Sequence, residues 1–307
     1  MVEVLLQMAA FIACGSAWRY CSQQHLISPK NTREVLTELV YYLFLPALVL
    51  DVLWSADLGG TAGGIAVVAA SGVFIAIALA WGAYRLLLAA SCRSTQGALI
   101  LAAGFPNATY LGLPVLQSTL GDWARAVAIQ YDLFACTPLV LTLGIYIARI
   151  HGKDGKSTNH LLELLKTPPL WAAAMGVSLN LGGVPEPAEI HGFLDRMAAS
   201  VVPLMLLSLG MGLEWSRRQW QHLPLLLPVL IIQLCLMPLW ATFMSRFFAF
   251  DSSQQTAVIL EAAMPSMVLG IVFCDRFHLN TSLYAAAVTF STTLSLVTLP
   301  LWYQFLT

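Results

Sequence analysis

The sequence predicts an all-α polytopic membrane protein of ten transmembrane helices, arranged as two inverted five-helix repeats in which broken helices 4 and 9 cross. Three observations predict it. Of 307 residues, 58% are apolar and only 10% charged, too little charge to cover a soluble protein of this length. Ten apolar stretches each reach the roughly 20 residues that a helix needs to cross hydrocarbon. Two of them carry proline at mid-span within a similar motif.

The stretches lie near 2–19, 33–54, 62–89, 94–119, 124–149, 163–182, 192–213, 223–247, 254–275 and 281–305. The first has no basic segment before it and no clear cleavage site, so it reads as a retained span. The connections are short and polar, HGKDGKSTNH at 151–160 being the most hydrophilic. That connection divides the chain into a first repeat at 1–150 and a second at 161–307.

Charge fixes an orientation. Twelve of the fifteen basic residues lie in or beside odd-numbered connections, and only Arg125, Arg196 and Arg246 lie on the even-numbered side. Basic residues stay cytoplasmic. Both termini are therefore expected outside and the 150–166 connection inside. A net charge of −1 argues against a nucleic-acid partner. Gly60, Gly63 and Gly64 allow close helix contact, within one protomer or between the two of a homodimer.

The repeat rests on two pairings. QGALILAAGFP (96–106) and QTAVILEAAMP (255–265) match at six of eleven positions without a gap, including Gln96/Gln255 and Pro106/Pro265. YLFLPALVLD (42–51) echoes SVVPLMLLS (200–208), with Pro46 over Pro203. These pairings set span 2 over span 7 and span 4 over span 9. Five crossings per repeat is odd, so the second copy enters from the opposite face. Broken helices at equivalent places in inverted repeats point to a secondary transporter with a midplane site.

The breaks carry the candidate site. Pro106 falls about twelve residues into span 4, or ~18 Å at 1.5 Å per residue, close to the bilayer centre. Pro265 falls similarly in span 9. Half-helices beginning near Asn107 and Ser266 would aim free N–H groups and positive dipole ends at the crossing, which favours an anion. Either residue also suits an ordinary N-cap. Pro106, Asn107, Thr109, Gln130, Pro265 and Ser266 form the candidate substrate set. No lysine or arginine lies in the middle of any span, so amides, dipoles and hydroxyls would hold a carboxylate.

Three acids lie within spans, where a charge is costly and marks function. Asp51, Asp132 and Glu261 are candidate sites for a coupling H⁺ or Na⁺, with Asp51 near a span end. No metal site or other cofactor is expected. Cys21/His25 and Cys274/His278 share a four-residue spacing but lack further ligands, so the six cysteines read as free thiols. No H-E-x-x-H, G-x-S-x-G or comparable constellation suggests an enzyme. A ligand sensor that does not transport is the rival class, although no signalling domain is visible.

FPNATYLGLPVL (105–116) resembles the Pro-Asn-Thr…Gly-Ile-Pro-Leu-Leu segment of the PIN-type auxin efflux carriers. AAMPSMVLGIVFCDRFHLNTSLYAAAV (262–288) is similar to their ninth span, and FLPALVL (44–50) to their second. The resemblance covers nearly the whole ten-span frame and is sharpest at the two crossover motifs. It implies the auxin efflux carrier family, whose bacterial members are often assigned to malonate or other small organic anions, and hence a bacterial inner membrane. Pro106 and Asn107 match the family's fourth-span crossover, Pro265 the ninth, and Gln130 a polar residue on span 5. The long cytoplasmic loop of the plant carriers is missing, and Ser266 and Glu261 depart from their pattern, so neither loop regulation nor auxin carries over. The related bile acid:sodium symporters have a ninth-span glutamate that helps bind Na⁺, and Glu261 invites that comparison.

Overall fold

A computed structural model describes residues 2–21, 28–55, 61–87, 93–152, 168–212 and 223–307. Every regular element among them is helical. In chain order the helices are α1 (Val2–Cys21), α2 (Pro29–Leu39), α3 (Leu45–Ser55), α4 (Ala62–Leu87), α5 (Arg93–Gly104), α6 (Leu113–Leu120), α7 (Ala124–Tyr131), α8 (Thr137–Leu139) and α9 (Ile145–His151). The second half holds α10 (Pro168–Leu181), α11 (Ala188–Ala199), α12 (Val201–Gly212), α13 (Leu223–Ile231), α14 (Met237–Ser245), α15 (Ser252–Ala262), α16 (Gly270–Arg276) and α17 (Thr281–Leu306). Six uninterrupted stretches among the described residues are long and apolar enough to cross a membrane: Asn31–Ser55, Ala62–Leu87, Ala124–His151, Ala188–Gly212, Leu223–Ser245 and Thr281–Leu306. The fourth and ninth predicted spans fall short of that measure because each is broken. Residues 163–167 of the sixth, with Lys153 and Lys156, lie outside the described residues, as do His25, Gly60 and Cys92.

Several helices join through five-residue π turns at Val40–Phe44, Ala108–Gly112, Asp132–Cys136, Val140–Gly144 and Ile232–Leu236. Four of the five are followed two residues later by proline: Pro46, Pro114, Pro138 and Pro238. Proline removes one N–H and its ring clashes with the carbonyl four residues back. A turn that is one residue wider moves that carbonyl aside and keeps the helix running.

The helices sort into two bundles. In the first, α1, α2, α3, α10, α11 and α12 lie chiefly on one another, with α3 against α10 and α11, and α12 against α1 and α2. Gly15 and Gly210 set the closest of these approaches: a Cβ on either would overlap a backbone carbonyl, that of Leu207 or of Ile12. The helices from α4 to α9 and from α13 to α17 form the second bundle, where α5 is flanked by α4, α9, α13 and α17. Contact between the bundles is sparser and includes α12 against the Ala108–Gly112 turn, α1 against α6, α3 against α7, and α10 against the Asp132–Cys136 turn. Gly64 is approached by the Phe248 and Phe250 rings of its own chain, and Gly63 has open space.

Candidate functional site

α5 ends at Gly104, and helix resumes at Ala108 as a π turn leading into α6. α15 ends at Ala262, and helix resumes only at Gly270. The two gaps lie side by side. The Asn107 N–H donates to the Pro265 carbonyl at 2.8 Å, and the Met267 N–H donates to the Phe105 carbonyl at 2.9 Å. Pro106 and Ser266 thus face each other as one antiparallel rung. Proline explains the pattern. Pro106 and Pro265 have no N–H to offer a helix, and the amides beyond them find acceptors across the gap instead.

This corrects two expectations. Ser266 does not begin a half-helix, since three residues separate it from α16. The amides at the crossing are also not bare: those of Asn107 and Met267 are used in the rung, and the Ser291 hydroxyl accepts from the Ser266 N–H at 3.1 Å. The Tyr284 hydroxyl completes the brace by donating to the Met267 carbonyl at 2.7 Å. Side-chain atoms without a hydrogen-bond partner there include Asn107 Nδ2, Ser266 Oγ and both Glu261 carboxylate oxygens.

A cavity of about 40 Å³ opens on one side of the rung, lined by Asn107, Thr109 and Tyr110 of the first break, Asp132 and Thr137 beside it, and Met267 of the second break. Tyr41, Leu45 and Pro169 close it from the other bundle. It sits at the start of the resumed helix, whose first-turn amides have no intrahelical acceptor. The Thr109 hydroxyl donates to one Asp132 oxygen, and the Thr137 hydroxyl donates to the other at 3.1 Å.

Glu261 lies on the last turn of α15, fully buried, with neither carboxylate oxygen partnered. It lies against Gly112, where a Cβ would overlap its carboxylate. Gly112 follows Thr109 by three residues, so Glu261 borders the same turn that carries the Thr109–Asp132 bond. The structure therefore brings Pro106, Asn107, Thr109, Asp132, Pro265, Ser266 and Glu261 to one place. Gln130 is buried two residues before Asp132 but is not among the residues lining the cavity.

Asp51 belongs elsewhere. It is buried on α3, where His191 Nδ1 meets its Oδ1 at 3.0 Å and Arg125 Nη2 meets its Oδ2 at 3.5 Å. Glu186 Oε2 reaches the same His191 nitrogen at 3.3 Å. Burial, and then the Asp51 charge, push the Glu186 carboxyl above its ordinary range, against the pull of His191. Asp51, Glu186 and His191 are also a possible cation-ligating trio, with donor atoms within 4.8 Å of one another, although the Arg125 guanidinium already supplies positive charge there. Arg125 belongs to the second bundle and its three neighbours to the first, so this ion pair spans the two.

Sequence reasoning missed Thr137, Ser291, Tyr284, Gly112 and the Asp51 cluster. Thr137 stands five residues after Asp132, a spacing that only a π turn brings to one face. The others act over long sequence separation and leave no local signal. A larger cavity, about 480 Å³, lies between the bundles away from the rung, lined by Arg19, Ser28, Arg33, Gly212, Thr281 and Ser282 among others.

Residues 4–303 match a family described as membrane transport protein. The chain is 31% identical over 274 residues to an uncharacterized transporter of Methanothermobacter thermautotrophicus, covering 88% of this chain and 87% of that one. It is 25% identical over 227 residues to the uncharacterized transporter YfdV of Escherichia coli K12, covering 72% and 71%.

Proposed function

Since this integral membrane protein belongs to the membrane transport protein family, we propose that it is a secondary active transporter of a small organic anion, bound where the two breaks meet. One observation carries this reading: the cavity at the crossing is bounded by both bundles. At about 40 Å³ it holds roughly one water and no carboxylate substrate. Tyr41, Leu45 and Pro169 must move away from Asn107, Thr109 and Asp132 before an anion can enter. Ligand binding and relative movement of the bundles are thereby coupled, as alternating access requires.

The ten-crossing, inverted-repeat reading supplies the frame. Span 4 corresponds to α5 with α6, span 9 to α15 with α16, and the repeats to 1–150 and 161–307 joined by 151–160. The second bundle, which holds both breaks, moves against the first as an elevator or by rocking. By the twelve-to-three charge bias both termini face outside, with Arg19 and Arg33 of the larger cavity toward the cytoplasm, and by the family resemblance the membrane is a bacterial inner one.

Asn107 Nδ2, with the first-turn amides after it, supplies donors to the substrate carboxylate. Asp132 and Glu261 set the condition on binding. Two ionised carboxylates with no basic side chain lining the cavity would repel an anion strongly in a low-dielectric site. A proton, or Na⁺, must arrive with the substrate, and Glu261, with no partner of its own, is the acid assigned to it. Counterflow of labelled mono- and dicarboxylates in proteoliposomes tests the reading: exchange is expected, and a ligand that binds without exchanging would make the protein a sensor. Imposed pH and Na⁺ gradients then separate the two ions.

A further inference from the structure

A second site lies at the far end of the bundle that carries the breaks. A cavity of about 460 Å³ is walled by the end of α4 and the end of α9 and floored by the start of α5. Arg93, Gln96 and Ile100 on α5 are spaced three and four residues apart, which puts them on one helix face. Arg85 joins them from α4 and His151 from α9. Among the described residues that line it there is no carboxylate, and three cationic or protonatable groups converge there.

The groups are held in place. The Arg85 guanidinium sits 5.0 Å from the centre of the Trp81 indole, a cation–π stack. His151 packs where Gly97 leaves room, since a Cβ there would overlap the His151 side chain. Its Nδ1–H donates to the Ile147 carbonyl at 3.0 Å, which leaves Nε2 for a ligand. The Tyr84 hydroxyl donates to the Leu225 carbonyl at 2.7 Å and pins this end of α4 to α13.

An apolar track leads into the cavity. Val67, Phe74 and Trp81 are exposed and spaced seven residues apart, so they form one stripe along α4 that ends at Arg85. Ile150 is exposed on the opposite wall. A basic cavity at the end of an apolar stripe suits an amphiphile more than a free ion.

We propose that this groove binds an anionic phospholipid, with its phosphodiester among Arg85, Arg93 and His151 and an acyl chain along Val67, Phe74 and Trp81. The assignment rests on the membrane orientation above, which puts these ends in the cytoplasmic leaflet, where anionic headgroups attract basic side chains. It does not depend on the transported substrate.

The test is thermal unfolding of the purified full chain in an uncharged detergent, titrated with phosphatidylglycerol, phosphatidylcholine or inorganic phosphate. Phosphatidylglycerol alone should stabilise. Each interfacial guanidinium contributes about a factor of five, so Arg85→Gln with Arg93→Gln should weaken that lipid roughly 25-fold. Equal effects of the two lipids, or undiminished binding by the double variant, would overturn the proposal, and stabilisation by phosphate alone would reassign the groove to a soluble anion. Should the double variant misfold, acyl-brominated phosphatidylglycerol gives a second readout. It should quench less fluorescence in Trp81→Phe than in the parent, and an unchanged quench would remove the acyl track.

Discussion

The two breaks share a proline, yet they are not equivalent. After Pro106 the chain is helical again by Ala108, and Asn107 and Thr109 line the cavity. After Pro265 it remains non-helical until Gly270, and Ser291 and Tyr284 on α17 hold its backbone. The first break gives the cavity its polar lining; the second adds Met267 and Leu269 and is braced from α17. Two gaps opened by the same residue type therefore need not line a cavity equally.

The sharpest way to break this comparison is to truncate one side chain in each gap. Asn107→Ala should lower counterflow at least tenfold, because a donor to a charged group is worth about 1.5–3 kcal/mol. Ser266→Ala should change it less than threefold. Equal losses would make the breaks equal partners. Next in size, Glu261→Gln should abolish the dependence of uptake on an imposed pH gradient while substrate binding persists; unchanged dependence would pass the coupling role to Asp132. Tyr284→Phe should be milder. Losing its bond to the Met267 carbonyl costs about 0.5–1.5 kcal/mol of stability, seen as a lower Tm with KM unaltered, and a raised KM would put the brace in contact with substrate.

The smallest effect belongs to Glu186, far in sequence from both gaps and serving as their control. Its carboxyl titrates above the ordinary range in the folded protein, so folding favours its protonated form. That contribution is fully present below the usual glutamate pKa of about 4.3 and is lost as pH rises through the raised folded value. Glu186→Gln should therefore gain thermal stability relative to the parent as pH rises across that window, with transport unaltered. The opposite slope would mean that His191 outweighs burial.

What the sequence made legible follows from how far each cause reaches. Proline acts on its own backbone, so the positions of both gaps could be read from Pro106 and Pro265 alone. A carboxylate deep in an apolar run is equally conspicuous, and Asp132 and Glu261 do lie together. Which donors remain for a ligand could not be read, because Pro265 and Phe105 accept across 158 and 162 residues of chain. The five wide turns were also hidden, although Pro46, Pro114, Pro138 and Pro238 stand two residues beyond four of them. Asp51 reads as an isolated acid in the sequence because His191 and Arg125 are remote along the chain.

The reciprocal rung between Phe105–Asn107 and Pro265–Met267 has a mechanical consequence. Stitched by main-chain bonds in both directions, the two interrupted helices form a crossbar that neither can leave alone. On the proposed transport reading, cargo resting against such a crossbar would shift with it, as a passenger on a carriage, past the walls bearing Tyr41, Leu45 and Pro169.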